Sequence, residues 1–432
     1  MFTQKKLSNG LQVVTSSSES TNTVTLLILV GAGSRYETEK ERGLAHFQEH
    51  MFFKGGNRFT TAKEVAQAID GVGGDFNAFT GKEYVGYYVK VASEKKEFAF
   101  DVLSDMLLNA KFPQEEIEKE RGVILEEMNM YEDMPIYKIG WDFEELMFGN
   151  HPMAKDQIGT VELIKSVNQE DFQNYKNKLY TPDNIIITAT GNITEQENLE
   201  FTKKYFNFGD TMEKQTCFAI PFSWEEFNNN TDTKKRVFIR NKKTEQAQIV
   251  IGYPSLNRAN EKNSAIKLLS IILGGNMSSR MFSSVREEKG LCYSIGSSVD
   301  SYTDCALFST RAGVTIERTK EAIEAIKEEY LKITTETGKP TGEELERAKN
   351  YYKGKLTLSM EDSESVANFL GTQFVLKDDV KSLNEYFALI ESVTISDIVE
   401  VAKELFVPEK ISMALIGPFE GQEKELEEIL LA

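Results

Sequence analysis

Gly43-Leu44-Ala45-His46-Phe47-Gln48-Glu49-His50-Met51-Phe52-Phe53-Lys54-Gly55 holds two of the three histidines in a chain of 432 residues. No Pro or Gly interrupts Leu44–Lys54, and most of these residues favour helix, so the segment is read as a helix. At 3.6 residues per turn, positions i and i+4 stack on one face, with i+3 beside them. Both imidazoles and the Glu49 carboxylate therefore point into one small volume. That arrangement suits a catalytic zinc, which takes neutral His nitrogens at about 2.0–2.1 Å with a carboxylate nearby to handle a bound water. The competing reading is two surface histidines beside a glutamate. In so His-poor a composition, H-x-x-E-H arises by chance in on the order of one chain in several hundred. Two His and a base do not complete a site.

The rest of the composition bounds the answer. The length suggests two or three domains. A hydrophobic content of 40% and a charged content of 27% describe a soluble globular protein, and the net charge of −18 argues against nucleic acid, which needs a basic surface. It suits a basic or extended cationic partner better. Met1–Gly10 lacks the apolar core of a signal peptide, and the longest apolar run, Val24–Val30, falls far short of the ~20 residues that span a bilayer. No membrane association is expected. Cys217, Cys292 and Cys305 are odd in number and lack ligand spacing, so they read as reduced thiols of a cytoplasmic protein.

One architecture is written twice. Strands are expected at Leu11–Thr15, Thr23–Val30, Asp75–Phe79, Tyr84–Val91 and Asn184–Thr190. Between them, helices are expected from Thr60 or Thr61 to Ile69 and over Glu94–Ala110, Gln114–Tyr131, Tyr137–Met147, Thr160–Lys165 and Gln169–Leu179, with a last one ending near Phe206. Residues 209–233 lose the pattern and read as a linker between a first domain, 1–208, and a second, 234–432. Ser166-Val167, Asp171, Pro182 and Gly191 reappear as Ser392-Val393, Asp397, Pro408 and Gly417, each 226 positions on. Val30-Gly31 matches Ile251-Gly252, and Glu115-Glu116-Ile117-Glu118 matches Glu343-Glu344-Leu345-Glu346. So long a period means two homologous domains.

The second copy acts as a control. Its helix near Ala265–Leu273 offers Lys267, Ser270 and Ile271, or Ile266, Leu269 and Ser270, where the first has His46, Glu49 and His50. Neither set binds zinc, so the fold does not require the histidines. A third ligand is sought on the helix Gln114–Tyr131, where Glu120 and Glu127 lie two turns apart on one face. Their counterparts are Ala348 and Lys355. Glu127 becomes the candidate ligand, and Glu120 the candidate carboxylate that orients a ligand from behind.

At this point the chain resembles the pitrilysin/insulinase zinc peptidases, the inverzincins that include the mitochondrial processing peptidases. Their motif is H-x-x-E-H, about 76 residues, then Glu; here 76 residues separate His50 from Glu127. Further family-like stretches are Gly73–Thr80, Glu120–Glu127 and, in the second half, Gly274-Gly275, Ser279–Phe282, Val285-Arg286-Glu287 and Gly290-Leu291-Cys292-Tyr293. The resemblance covers essentially the whole chain and is strongest to short bacterial members. It implies an α+β fold of two homologous domains, each a mostly antiparallel sheet packed with helices. It also implies one Zn2+ per chain held by His46, His50 and Glu127, with Glu49 as general base. Arg286 and Tyr293 would hold substrate and donate to the developing oxyanion. Asn77-Ala78-Phe79 would pair with the substrate backbone, and Phe53 and Phe79 would line the pocket beside the scissile bond. The family's chamber geometry further implies a homodimer with each site completed in trans.

The function expected is zinc endopeptidase action on unfolded, preferably cationic, peptides inside a closed chamber. The alternative is a catalytically silent peptide-binding or scaffold subunit of the same fold. Such partners typically lack a ligand or the base, whereas all six residues stand here. No G-x-x-x-x-G-K-[ST] or G-x-G-x-x-G supports a nucleotide-binding enzyme. His151, before Pro152, is assigned to structure rather than metal, and Trp141 and Trp224 to packing.

Overall fold

The computed structural model describes residues 2–208, 219–225 and 235–432. Most of the expected linker, with Cys217 and Asn228-Asn229-Asn230, lies outside the described residues. The first sheet comprises β1 (Thr3–Lys6), β2 (Gln12–Ser17), β3 (Thr23–Val30), β4 (Asp75–Thr80), β5 (Val85–Ala92) and β6 (Ile185–Gly191). Its spatial order is β1-β2-β6-β3-β5-β4. The second comprises β7 (Val237–Asn241), β8 (Gln246–Ser255), β9 (Cys292–Ser301), β10 (Ala306–Thr315) and β11 (Ser412–Gly417), in the order β7-β11-β8-β10-β9.

Without the added edge strand β1, the two orders are the same permutation of chain order. In each sheet only the first and last of these strands run parallel, β2 with β6 and β7 with β11. The repeated residues keep their places as well. Asn168 and Asp171 form a capping box at one helix start, and Thr394 and Asp397 form its counterpart. Pro182 and Pro408 each open a short 3-10 turn before the last strand. The fold is thus α+β, two homologous domains each built on a mostly antiparallel sheet covered by helices. β1 went unforeseen because Thr3–Lys6 is exposed on both faces and shows no apolar alternation.

The first five long helices are α1 (Leu44–Phe52), α2 (Ala62–Asp70), α3 (Lys96–Leu108), α4 (Gln114–Asp133) and α5 (Pro135–Phe148), and α1 and α4 carry the site. The chain divides into two compact units, and each takes a helix from the other half of the chain. In the unit of the first sheet, Leu27 and Leu29 of β3, with Val14 and Ile186, pack on Ala367, Leu370 and Phe374 of the helix Ser363–Val375. Thr25 and Thr190 of that sheet hydrogen-bond Ser363 at the helix start. In the unit of the second sheet, Ile139, Phe143 and Met147 of α5 pack on Val250, Ala414 and Ile416. Asp142 of α5, 1% exposed, accepts two hydrogen bonds from Arg240 of β7, at 2.7 and 2.6 Å. These two helices begin 228 residues apart, the same offset that matches Glu127 to Lys355, so equivalent elements have traded places. Among the described residues no helix is long and apolar enough to cross a membrane.

Candidate metal centre and active site

α1 is held as a rigid platform. Leu44, Ala45, Phe47, Met51 and Phe52 are buried on one side, which leaves His46, Glu49 and His50 half-buried on the other. Phe47 meets Phe172 edge-on at 5.0 Å, and Phe52 meets Tyr87 at 5.3 Å and Phe112 at 5.5 Å. Each fully buried ring stabilises the platform by about 1.5–3 kcal/mol. Gly43 precedes the helix with φ 89°, and a Cβ there would lie 2.5 Å from the Ile158 carbonyl oxygen, so only glycine fits. Gly43 has no side chain to cap with, and Glu37 does so instead. Its two oxygens accept from the N–H groups of Gly43 at 2.8 Å and Ala45 at 2.7 Å, while burial pushes its carboxyl up to about 8.

α4 brings the acids. Ile117, Glu120 and Ile124 form its buried side, and Arg121 ties it down by donating to the carbonyls of Ile164 and Val167. Glu127 then lies against α1, its Oε2 3.7 Å from both His46 Nε2 and His50 Nε2. One ligand atom from each of these three residues lies within 4.8 Å of the others. Behind them, His50 Nδ1 hydrogen-bonds Glu120 Oε1 at 2.9 Å, and the other oxygen of Glu120 pairs with Lys54. A proton held at Nδ1 by that carboxylate leaves His50 Nε2 with a free lone pair facing the cluster.

The electrostatics act on the two imidazoles in opposite directions. Burial, with the His50 charge second, pushes the His46 imidazolium down to about 3, so His46 is neutral. Burial also opposes a charge on His50. The Glu120 hydrogen bond and the charges of Glu49, Glu120 and Glu127 outweigh it and raise His50 above its ordinary range. Burial raises the Glu49 carboxyl, against a hydrogen bond from Thr80 that lowers it. Two imidazole nitrogens and one carboxylate oxygen, converging and half-sheltered, fit a borderline-soft divalent ion such as zinc and leave room for a further ligand.

Two family models match parts of the chain: "Insulinase (Peptidase family M16)" over residues 12–155 and "Peptidase M16 inactive domain" over residues 166–352. An uncharacterised zinc protease of Bacillus subtilis is 35% identical over 410 residues, covering 95% of this chain and 97% of that protein. The chain belongs to peptidase family M16. A second relative of this M16 chain, an uncharacterised zinc protease of Streptomyces coelicolor, is 32% identical over 96% of this chain and 90% of that protein. A protease from Helicobacter pylori superposes with a TM-score of 0.85 at 23% identity, covering 97% of this chain and 99% of that one. A peptidase M16 inactive domain from Pseudomonas fluorescens does so with a TM-score of 0.88 at 16% identity, covering 97% and 98%. Both share the fold.

The M16 chain places the other expected residues as follows. Arg286, in a π-helical turn Phe282–Glu288, stacks over the rings of Phe282 (4.4 Å) and Tyr293 (5.4 Å), so Arg286 and Tyr293 are brought together. Tyr293 is 77% exposed. Asn77, Ala78 and Phe79 lie on β4, an outer strand of its sheet. Phe79 packs beside Tyr84 and over Gly86, on the sheet face that also carries Leu27 and Leu29. It is Phe76 that meets Phe53, at 5.5 Å. Phe76, Lys54 and Thr80 went unread in the sequence. The alternation of β4 could have flagged Phe76 and Thr80, had the face turned to α1 been known. His151 stays outside the cluster: its Nδ1 accepts from the Met153 N–H at 3.1 Å, and its ring meets Phe222. Trp141 packs on Tyr131 and Trp224 on Phe148.

Proposed function

We propose that this chain is a zinc metalloendopeptidase with one Zn2+ per chain, acting on unfolded peptides. The observation that carries this is the convergence of His46, His50 and Glu127 within 4.8 Å, with Glu49 on the helix of the two histidines. The names of the relatives agree with the choice of zinc. His46, His50 and Glu127 would hold the ion, and Glu120, buttressed by Lys54, would orient His50. Zinc held there supplies Lewis-acid polarisation of a carbonyl and acidification of water. Glu49, one oxygen held by Thr80, takes the proton of the attacking water on its other oxygen and later delivers it to the leaving amine. β4 has no strand on its outer side among the described residues, so an extended peptide can add there through backbone hydrogen bonds at Asn77–Phe79. Arg286 and Tyr293 would hold substrate and stabilise the oxyanion from a second copy of the chain, in a closed homodimeric chamber. The net charge of −18 favours cationic peptides.

The test is metal analysis with chelator-sensitive cleavage of a peptide library, run beside Glu49→Gln. The variant should keep its zinc and lose about 10²–10⁴ in kcat. A wild type that cleaves without zinc overturns the proposal. A wild type that binds zinc and peptide but cleaves nothing is the silent peptide-binding subunit instead.

A further inference from the structure

We infer that Thr80 is a positioning residue for Glu49, so that the strand offered to substrate also sets the orientation of the base. This deepens the proposed peptidase function and rests on it. The Thr80 hydroxyl donates to Glu49 Oε2. Thr80 is the last residue of β4, opposite Val85 of β5, and the turn beyond it is closed by the Gly81 N–H to the Tyr84 carbonyl at 2.9 Å. Its backbone is therefore pinned by the sheet, and a β-branched side chain has few χ1 choices of its own. Glu49 has three rotatable bonds and sits on the half-buried face of α1. The hydroxyl has a single proton to give, and it gives it to one carboxylate oxygen. Oε1 is left to accept a proton from water.

The alternation of β4 supports a dedicated role. Phe76, Ala78 and Thr80 share one face, and Phe76 meets Phe53 just beyond the end of α1, so that face looks towards α1. Phe79 turns to the other face, over Gly86. Ala78, between Phe76 and Thr80 on that face, lies on the stretch expected to pair with a peptide. A peptide backbone registered on Asn77–Phe79 and a carboxylate registered on Thr80 then share one reference frame. A change of about 1 Å in such a frame costs on the order of 100-fold in rate.

The experiment uses the full zinc-loaded chain as wild type, Thr80→Val and Thr80→Ser, together with crystal structures of the zinc-free wild type and Thr80→Val. Valine keeps the shape and removes the donor; serine keeps the donor. Thr80→Val should retain zinc stoichiometry, thermal midpoint and KM, lose about 10- to 100-fold in kcat, and show Glu49 in more than one conformation. Thr80→Ser should stay within about 3-fold of wild type, and Thr80→Val added to Glu49→Gln should cost nothing further. Equal kcat for wild type and Thr80→Val overturns the inference. So does an equal loss in both variants, or a loss of zinc in Thr80→Val, since either marks a packing role. If the wild type binds zinc and cleaves no peptide, the peptidase reading has failed, and the Glu49 conformation in the two zinc-free structures decides the inference alone.

Discussion

His50 is the most constrained of the candidate ligands at the residue scale, because both of its nitrogens are spoken for. Nε2 faces Glu127 and Nδ1 is bonded to Glu120, whose second oxygen is drawn to Lys54. Burial works against a charge on Glu120, and the bonds from His50 and Lys54 overcome it, so its carboxyl lies below the usual range and stays ionised. We therefore expect Glu120→Ala to weaken zinc binding by about 10- to 100-fold in a competition assay with a chromophoric chelator, while zinc still binds at saturation. Affinity equal to wild type would remove Glu120 from the site. The sequence made Glu120 and Glu127 legible because a helix turns a spacing of seven into a shared face. Thr80 and Lys54 were not legible, because their roles depend on which element packs opposite them. Lys54 lies one turn beyond His50, just outside α1, and nothing local distinguishes it from a solvated lysine.

The two traded helices matter most among the elements. α5 carries Asp142 into the unit of the second sheet, where the carboxylate is almost fully buried against Arg240. Two parallel N–H···O bonds satisfy both charges. Removing Arg240 alone leaves a buried anion, so Arg240→Ala should cost about 3–5 kcal/mol in urea unfolding, while Arg240→Ala with Asp142→Ala should cost less than the single change. A double variant worse than the single one would show that the pair contributes packing rather than charge compensation. The long helices and buried strands were readable in sequence from their apolar periods; the ends of Thr23–Val30 and Gln169–Leu179 agree to the residue. β1 and the exchange of α5 with Ser363–Val375 were not. An exposed edge strand has no period to read, and an amphipathic helix shows that it has an apolar face without saying which sheet covers it.

At the scale of the whole molecule, the first copy carries the candidate ligands and the second carries Arg286 and Tyr293. A site completed in trans predicts complementation between chains. Glu49→Gln chains mixed and re-associated with Arg286→Ala chains should recover about a quarter of wild-type turnover, since half the dimers are mixed and each has one intact site. No recovery in a mixture shown to contain mixed dimers would place both parts of the site in one chain. What the sequence determined by itself was the duplication, the H-x-x-E-H helix and the second acid two turns from its companion, because local spacing and regular periods fix these without reference to distant contacts. Only the tertiary structure decided that Glu127 meets both histidines, that Thr80 rather than Phe79 faces Glu49, and that each unit borrows a helix. Those facts depend on which surfaces meet, and many distant surfaces of similar apolar character could have met instead.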